Sequence, residues 1–281
     1  MMHMPIGGMW LEKIGTTFSE VINVKIGIIG LGSVGQAAYS TLREYHEVTG
    51  YDIDGRGNWN DILETDVALV CVSTNGSENG FLDMTNIHSV AQRLNDSSYN
   101  GLVVLKSTLQ PRTTDDLKEK FPRVRLSYVP EFLRERDAEE WFRNPDRIVY
   151  SCQDQDEATL LQSFDWVNHI VPRIRMSNLE AEFGKLAHNS YIATKVTFTC
   201  EIERLCRINS IDANKVMEVV WRDRRVDNPS HLTPYLGGFG GKCVPKDTLA
   251  LVMEDPDESS ILHYLHERGE SGTVKKRLGS L

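Results

Sequence analysis

From Val24 onward, short apolar runs alternate with amphipathic stretches, and this alternation limits the fold more tightly than any other feature of the chain. "VKIGIIG", "DVALVCVS", "GLVVLKS", "RLSYVP" and "RIVYSC" read as buried strands. Between them, "GQAAYSTLREY" and "TTDDLKEKF" read as helices. Strands that alternate with helices imply a doubly wound, mostly parallel sheet of the Rossmann type. The pattern ends near Pro172, so residues 24–172 are expected to form one α/β domain. Residues 1–23 lack a basic start and read as a leader, not as a signal peptide.

Residues 173–281 differ in character and are expected to be all helical. "NLEAEFGKLAHNSYIATKVTFTCEIERLCRIN" carries apolar residues at helical spacing and predicts one long helix over Asn178–Asn209. Asn178 is the expected N-cap, with Glu180 and Glu182 in the first turn near the positive end of the helix dipole. "DANKVMEVVWRD" predicts a shorter helix, and "PDESSILHYLHERGE" one more before a basic, frayed end.

"GLGSVG" (Gly30, Leu31, Gly32, Ser33, Val34, Gly35) follows a strand and opens a helix. The first glycine permits a tight turn, the second lets backbone approach a pyrophosphate, and the third lets helix and strand pack closely. The helix N-terminus offers free N–H groups to the phosphates. Asp52 stands 22 residues after Gly30, at the end of the second strand, where an acid holds both ribose hydroxyls of NAD and repels the 2′-phosphate of NADP. NAD is therefore the expected cofactor.

"GFGGKCVPKD" places Cys243 at the end of glycine-rich backbone, with Lys242 and Lys246 beside it. Flanking cations favour the thiolate, the nucleophilic form. A small apolar core residue is an equal alternative on this evidence. Lys185 and Asn189 are one helical turn apart and share a face. Side by side they can hold an oxyanion, or they can be a solvated surface pair. His188 lies one position away, points elsewhere and reads as structural. Glu131 and Glu135, in "YVPEFLRERDA", can handle protons or belong to an exposed loop.

The other signals exclude classes. A net charge of −9 argues against a general nucleic-acid binder. Five dispersed cysteines with no CxxC pair argue against a disulfide framework or zinc site and fit a reducing, cytoplasmic compartment. No apolar run approaches the roughly 20 residues that span a bilayer.

Together, "GLGSVG", "KSTLQPRTT", "PEFLRERDA", "NPDRIVYS", "EAEFGKLAHNSYIATKV" and "GFGGKCVPKDT" resemble the UDP-glucose/GDP-mannose dehydrogenase family over roughly Val24 to Leu251. The resemblance implies oxidation of the primary alcohol of a nucleotide sugar to a carboxylate, with two NAD molecules used in turn. It implies that Cys243 is the nucleophile that forms a thioester, and that Lys185 and Asn189 steady the oxyanions. Asp247 and Thr108 match positions that order the water, and Glu131 matches an acid/base glutamate. Ser73, Thr74, Ser107, Thr108, Glu135 and Lys246 fall on the cofactor side. Phe132, Leu133, Phe239, Gly240 and Gly241, with Lys185 and Asn189, fall on the substrate side. Arg225 is similar to an arginine that reaches substrate across a dimer interface, so a homodimer is expected.

The chain departs from the family pattern in places. Thr74-Asn75 stands for Thr-Pro, Cys200 for an asparagine on the long helix, and Arg112 and Arg136 for glycines. The family has a third, nucleotide-gripping domain, and only about thirty residues follow Leu249 here. Weak affinity, an altered substrate or a second chain that completes the site is the corresponding expectation. Two other readings stand beside the main one. One is a β-hydroxyacid dehydrogenase, which needs no cysteine. The other is a non-catalytic NAD-binding paralogue that acts as a partner protein.

Overall fold

The computed structural model describes residues 24–255, 257 and 260–270. Its first part is β1 (Lys25–Ile29), α1 (Ser33–Leu42), β2 (Glu47–Tyr51), α2 (Trp59–Leu63), β3 (Val67–Val70), α3 (Thr85–Asp96), β4 (Leu102–Leu105), α4 (Thr113–Lys120) and β5 (Arg125–Tyr128). The five strands form one parallel sheet in the order β2-β1-β3-β4-β5. α5 (Ala138–Arg143), β6 (Ile148–Tyr150), α6 (Glu157–Gln162) and β7 (Arg173–Arg175) follow. β6 and β7 pair in parallel, and a Tyr128–Ser151 bridge joins this ribbon to the main sheet. The strand pairing thus runs past Pro172 to Arg175.

The period-2 alternation of strand side chains builds a core on each face of the sheet. Ala68, Val70, Val103, Leu105, Leu126 and Tyr128 face one layer. Ile26, Ile28, Val67, Leu69, Leu102 and Val104 face the other. A parallel sheet covered on both faces needs near-continuous apolar strands, which explains "VALV" and "LVVL".

The helical part is α7 (Asn178–Ile208), α8 (Ala213–Trp221), α9 (Val244–Val252) and α10 (Ile261–Glu270). α7 is capped one residue earlier than its sequence suggests. Ser177 accepts from the Glu180 amide, and the Glu180 side chain accepts from Ser177, which is a capping box. Asn178 instead binds Ser151, Asp115 and Lys118 through its side chain. α9 was not expected. The glycine-rich segment ends at Cys243, which is the N-cap of α9, with Pro245 in the first turn. The leader and the basic end lie outside the described residues. Among the described residues no helix is long and apolar enough to cross a membrane.

Glu182 is not a solvated first-turn acid. It is fully buried, and it accepts from the Arg112 amide at 2.6 Å, the Thr114 amide at 2.8 Å and the Thr114 hydroxyl at 2.7 Å. One α7 carboxylate therefore satisfies orphan donors at the start of α4. Arg112 holds the N-cap of α4 at φ +76°, a left-handed conformation that favours glycine. Its guanidinium pairs with Glu254 at 2.9 Å. Burial pushes the Glu182 carboxyl above its usual range, opposed by Thr114 and Arg112. Glu182→Ala leaves buried donors unpaired, so denaturant melts of that variant should show a loss of about 2–3 kcal/mol, against about 0.5–1 kcal/mol for Glu180→Ala, which removes only the exposed half of the capping box.

Candidate functional site

A cleft of about 540 Å³ runs along the C-terminal ends of β1 to β5 and reaches α7 and the start of α9. In open α/β sheets ligands bind at this edge, where the strand order reverses. Here the reversal lies between β1 and β3.

The glycine loop forms one end. Gly30 has φ +91°, and a Cβ there would lie 2.9 Å from Cys71 backbone. A Cβ on Gly35 would lie 1.9 Å from the Gly30 carbonyl, so only hydrogen lets α1 approach the turn. Gly30, Gly32, Ser33 and Val34 line the cleft. Leu31 and Gly35 do not line it, and their roles are packing and turn geometry. The Asp52 carboxylate faces the cleft while it accepts from the Leu31 amide at 2.6 Å, which fixes it beside the loop. Arg56 binds the Leu31 carbonyl and ion-pairs with Asp54 and Asp52. Arg93 lies over the Trp59 ring at 3.9 Å and donates to the Tyr51 hydroxyl at 2.8 Å. Arg56, Arg93 and Trp59 carried no recognisable sequence pattern. The glycine turn, the free α1 N-terminus, the held acid and the cleft volume fit a dinucleotide.

Ser73, Thr74, Ser107, Thr108, Glu131, Leu133, Glu135, Lys246, Lys242, Lys185 and Cys243 all line the same cleft. Ser33 donates to Glu135 at 3.3 Å. Cys243 is exposed, which removes the core-cysteine alternative. It stands at the N-terminus of α9, beside the positive end of that helix. Lys242 and Lys246 both line the cleft, and Lys246 also pairs with Asp247 at 2.5 Å. Cys71, at the cleft wall, is the opposite case, with burial pushing its thiol up to about 12.

Lys185 and Asn189 are buried, not solvated. Burial pushes the Lys185 ammonium below the usual lysine range, and Asp247, Glu131 and Cys243 oppose the shift. Asn189 Nδ2 donates to Asp247 Oδ2 at 2.6 Å, and Asp247 is 0% exposed. His188 does not point away from this group. Its Nδ1 lies 3.0 Å from Asn189 Oδ1, and its ring stands edge-on to Phe132 at 5.1 Å. Phe132 also lies under Lys185 Nζ at 5.1 Å. Glu131 Oε1 accepts from the amides of Phe132 and Leu133, and Oε2 meets Lys106 Nζ at 3.0 Å.

Some expected residues lie apart. Phe239 and Gly240 line a separate cavity of about 250 Å³ with Cys200 and Glu203. Gly241 lines neither cavity and turns the chain at φ +81°. Arg225 is exposed and pairs with Asp223 at 2.6 Å, away from the cleft. No group of acids, histidines and cysteines able to hold a metal occurs among the described residues.

The model of the UDP-glucose/GDP-mannose dehydrogenase family, NAD binding domain, matches residues 58–165, and that of the family's central domain matches residues 179–270. A UDP-glucose 6-dehydrogenase of Pseudomonas aeruginosa is 32% identical over 224 residues, 74% of this chain and 49% of that protein. A GDP-mannose 6-dehydrogenase of Pseudomonas syringae is 29% identical over 277 residues, 81% of this chain and 63% of that protein. A solved UDP-glucose dehydrogenase from Pyrobaculum islandicum superposes with a TM-score of 0.78 at 26% identity, covering 94% of this chain and 73% of that one. The chain spans about half the length of the first of these relatives. The chain belongs to the UDP-glucose/GDP-mannose dehydrogenase family, and its cofactor is NAD.

The exposure of Cys243 makes a direct expectation. A chromogenic disulfide reagent should label one cysteine roughly tenfold faster than the other four, because the attacking thiolate needs access. The fast phase should vanish in Cys243→Ser and slow when NAD fills the cleft. A fast phase that persists in Cys243→Ser would assign it to another cysteine.

Proposed function

We propose that this chain oxidises the primary alcohol of a nucleotide sugar, UDP-glucose-like, to the uronate in two successive oxidations through a thioester on Cys243. One observation carries the reading: an exposed sulfur lies in the same cleft as the glycine loop and the buried Lys185. NAD, when bound, accepts the hydride of each oxidation.

The chain's own residues supply the rest. Asp52 and the Gly30–Gly35 turn hold the dinucleotide, and Ser73, Thr74, Ser107, Thr108, Glu135 and Lys246 flank it. The first oxidation takes a proton from the alcohol and leaves an aldehyde. The Cys243 sulfur then forms a bond to the aldehyde carbon and leaves its oxygen negative. Lys185 and Asn189 steady that oxyanion, which in water-poor surroundings contributes about 3–4 kcal/mol per well-placed donor. Loss of hydride from this tetrahedral carbon leaves the thioester, and sulfur is a good leaving group for the next step. Water oriented by Thr108 and Asp247 attacks the thioester carbon. The carbon–sulfur bond breaks, the uronate leaves, and Glu131 handles the proton of the water. Phe132 and Leu133 flank the sugar side.

The reading includes a homodimer. Tyr191, Phe198, Leu205 and Ile208 on α7, Ile211 beyond it and Val219 on α8 are exposed apolar residues on a long helical surface. Such a surface needs a cover in water. Arg225, which is exposed, is the residue offered to the partner's substrate. Light scattering at micromolar concentration should give about twice the chain mass of 31.8 kDa, and a single chain mass would remove the dimer from the reading.

Each nucleotide sugar oxidised should yield two NADH. Cys243→Ser should form no uronate, and Lys185→Ala should lower kcat by about 10²–10³. One NADH per substrate, unchanged by Cys243→Ser, would replace this reading with a hydroxyacid dehydrogenase. Saturable NAD binding without turnover of any nucleotide sugar would replace it with a binding protein.

A further inference from the structure

Lys106 follows β4 inside "KSTLQPRTT", and its side chain is only 4% exposed. A buried ammonium is costly unless a charge and hydrogen bonds compensate it. The carboxylate that faces it is Glu131, 15% exposed, at 3.0 Å. The faces of Phe142 and Phe164, each 5.5 Å from Nζ, complete its surroundings. These rings belong to α5 and to the segment after α6, so elements outside the main sheet grip the lysine. Lys106 and Glu131 form part of the cleft wall on one side and of a small cavity with Arg147 and Trp166 on the other.

Glu131 is thereby held at three points. Two backbone amides take Oε1 and the Lys106 ammonium takes Oε2. A carboxylate bound at both oxygens from different directions cannot rotate about its terminal torsion. An exposed surface pair would not give this restraint, because such pairs lose to solvent and side-chain entropy. Lys106, buried between two rings, has no freedom to lose.

We propose that Lys106 is a positioning residue, which locks the Glu131 carboxylate in the one orientation that faces the reacting groups Cys243 and Lys185. The inference rests on the functional reading above. Lys106 itself does not touch substrate. It acts through Glu131, and the aromatic pair Phe142 and Phe164 determines where Lys106 ends.

Lys106→Met keeps the length of the side chain and suits the two rings. With the nucleotide sugar as substrate, kcat should fall about 10–100-fold while KM and NAD affinity change less than about threefold. Glu131→Gln should also lower kcat, and the double variant should be no slower than the slower single one, because both changes remove the same arrangement. Losses in kcat that multiply, or a raised KM with unchanged kcat, would overturn the proposal. A second measurement needs no substrate. The melting temperatures of wild type, both single variants and the double variant form a cycle, and the double variant should lie above the sum of the two single losses. Additive losses would mean that the pair is not held and would also overturn the proposal. If wild type turns over no nucleotide sugar, the functional reading fails, and this cycle still decides whether Lys106 grips Glu131.

Discussion

The hydrogen bond between Asn189 and Asp247 decides where the Cys243 sulfur lies. It joins the middle of the long helix α7 to the first turn of α9, and both partners are buried. Cys243 is the N-cap of that same helix, four residues before Asp247. One polar contact therefore sets the sulfur against Lys185, which lies one turn before Asn189. The low dielectric around the pair strengthens the bond and makes its loss costly. The adjoining Leu186, Ala250 and Leu251 supply the apolar packing that keeps water out.

The sheet makes this contact useful. Residues that alternate along β1, β3 and β4 bury one layer above and one below, so helices must cover both faces. The strands then share one direction, and their C-terminal ends form a common edge. The glycine loop and Asp52 stand at that edge next to the segments after β4 and β5. Glu182 ties α7 to the start of α4, which brings the helical part to the same edge.

Much of this was legible along the chain. "GLGSVG" with its strand, helix and following acid depends on local steric rules, which act within about twenty residues. The long helix was legible for the same reason, apart from a one-residue shift of its cap to Ser177. Cys243 was conspicuous because glycines isolate it. Other features had no local signature. Lys106 is an ordinary lysine in the sequence, and only β4 and β5 side by side show that it meets Glu131. Arg93 and Trp59 are 34 positions apart and meet only when α2 and α3 fold onto one end of the cleft. Glu182 reads as a dipole partner until its real donors, about seventy residues earlier, arrive beside it.

The amino-acid sequence by itself determined the alternation of strands and helices and the phosphate turn, because each depends on backbone sterics and on side-chain periodicity between near neighbours. Tertiary structure alone decided that Lys185 and Asn189 are buried, that Cys243 opens a helix and faces the cleft, and that Phe239 and Arg225 lie outside it. Burial and the pairing of charges are properties of distance in space, and distant segments meet only after the sheet has closed its two cores.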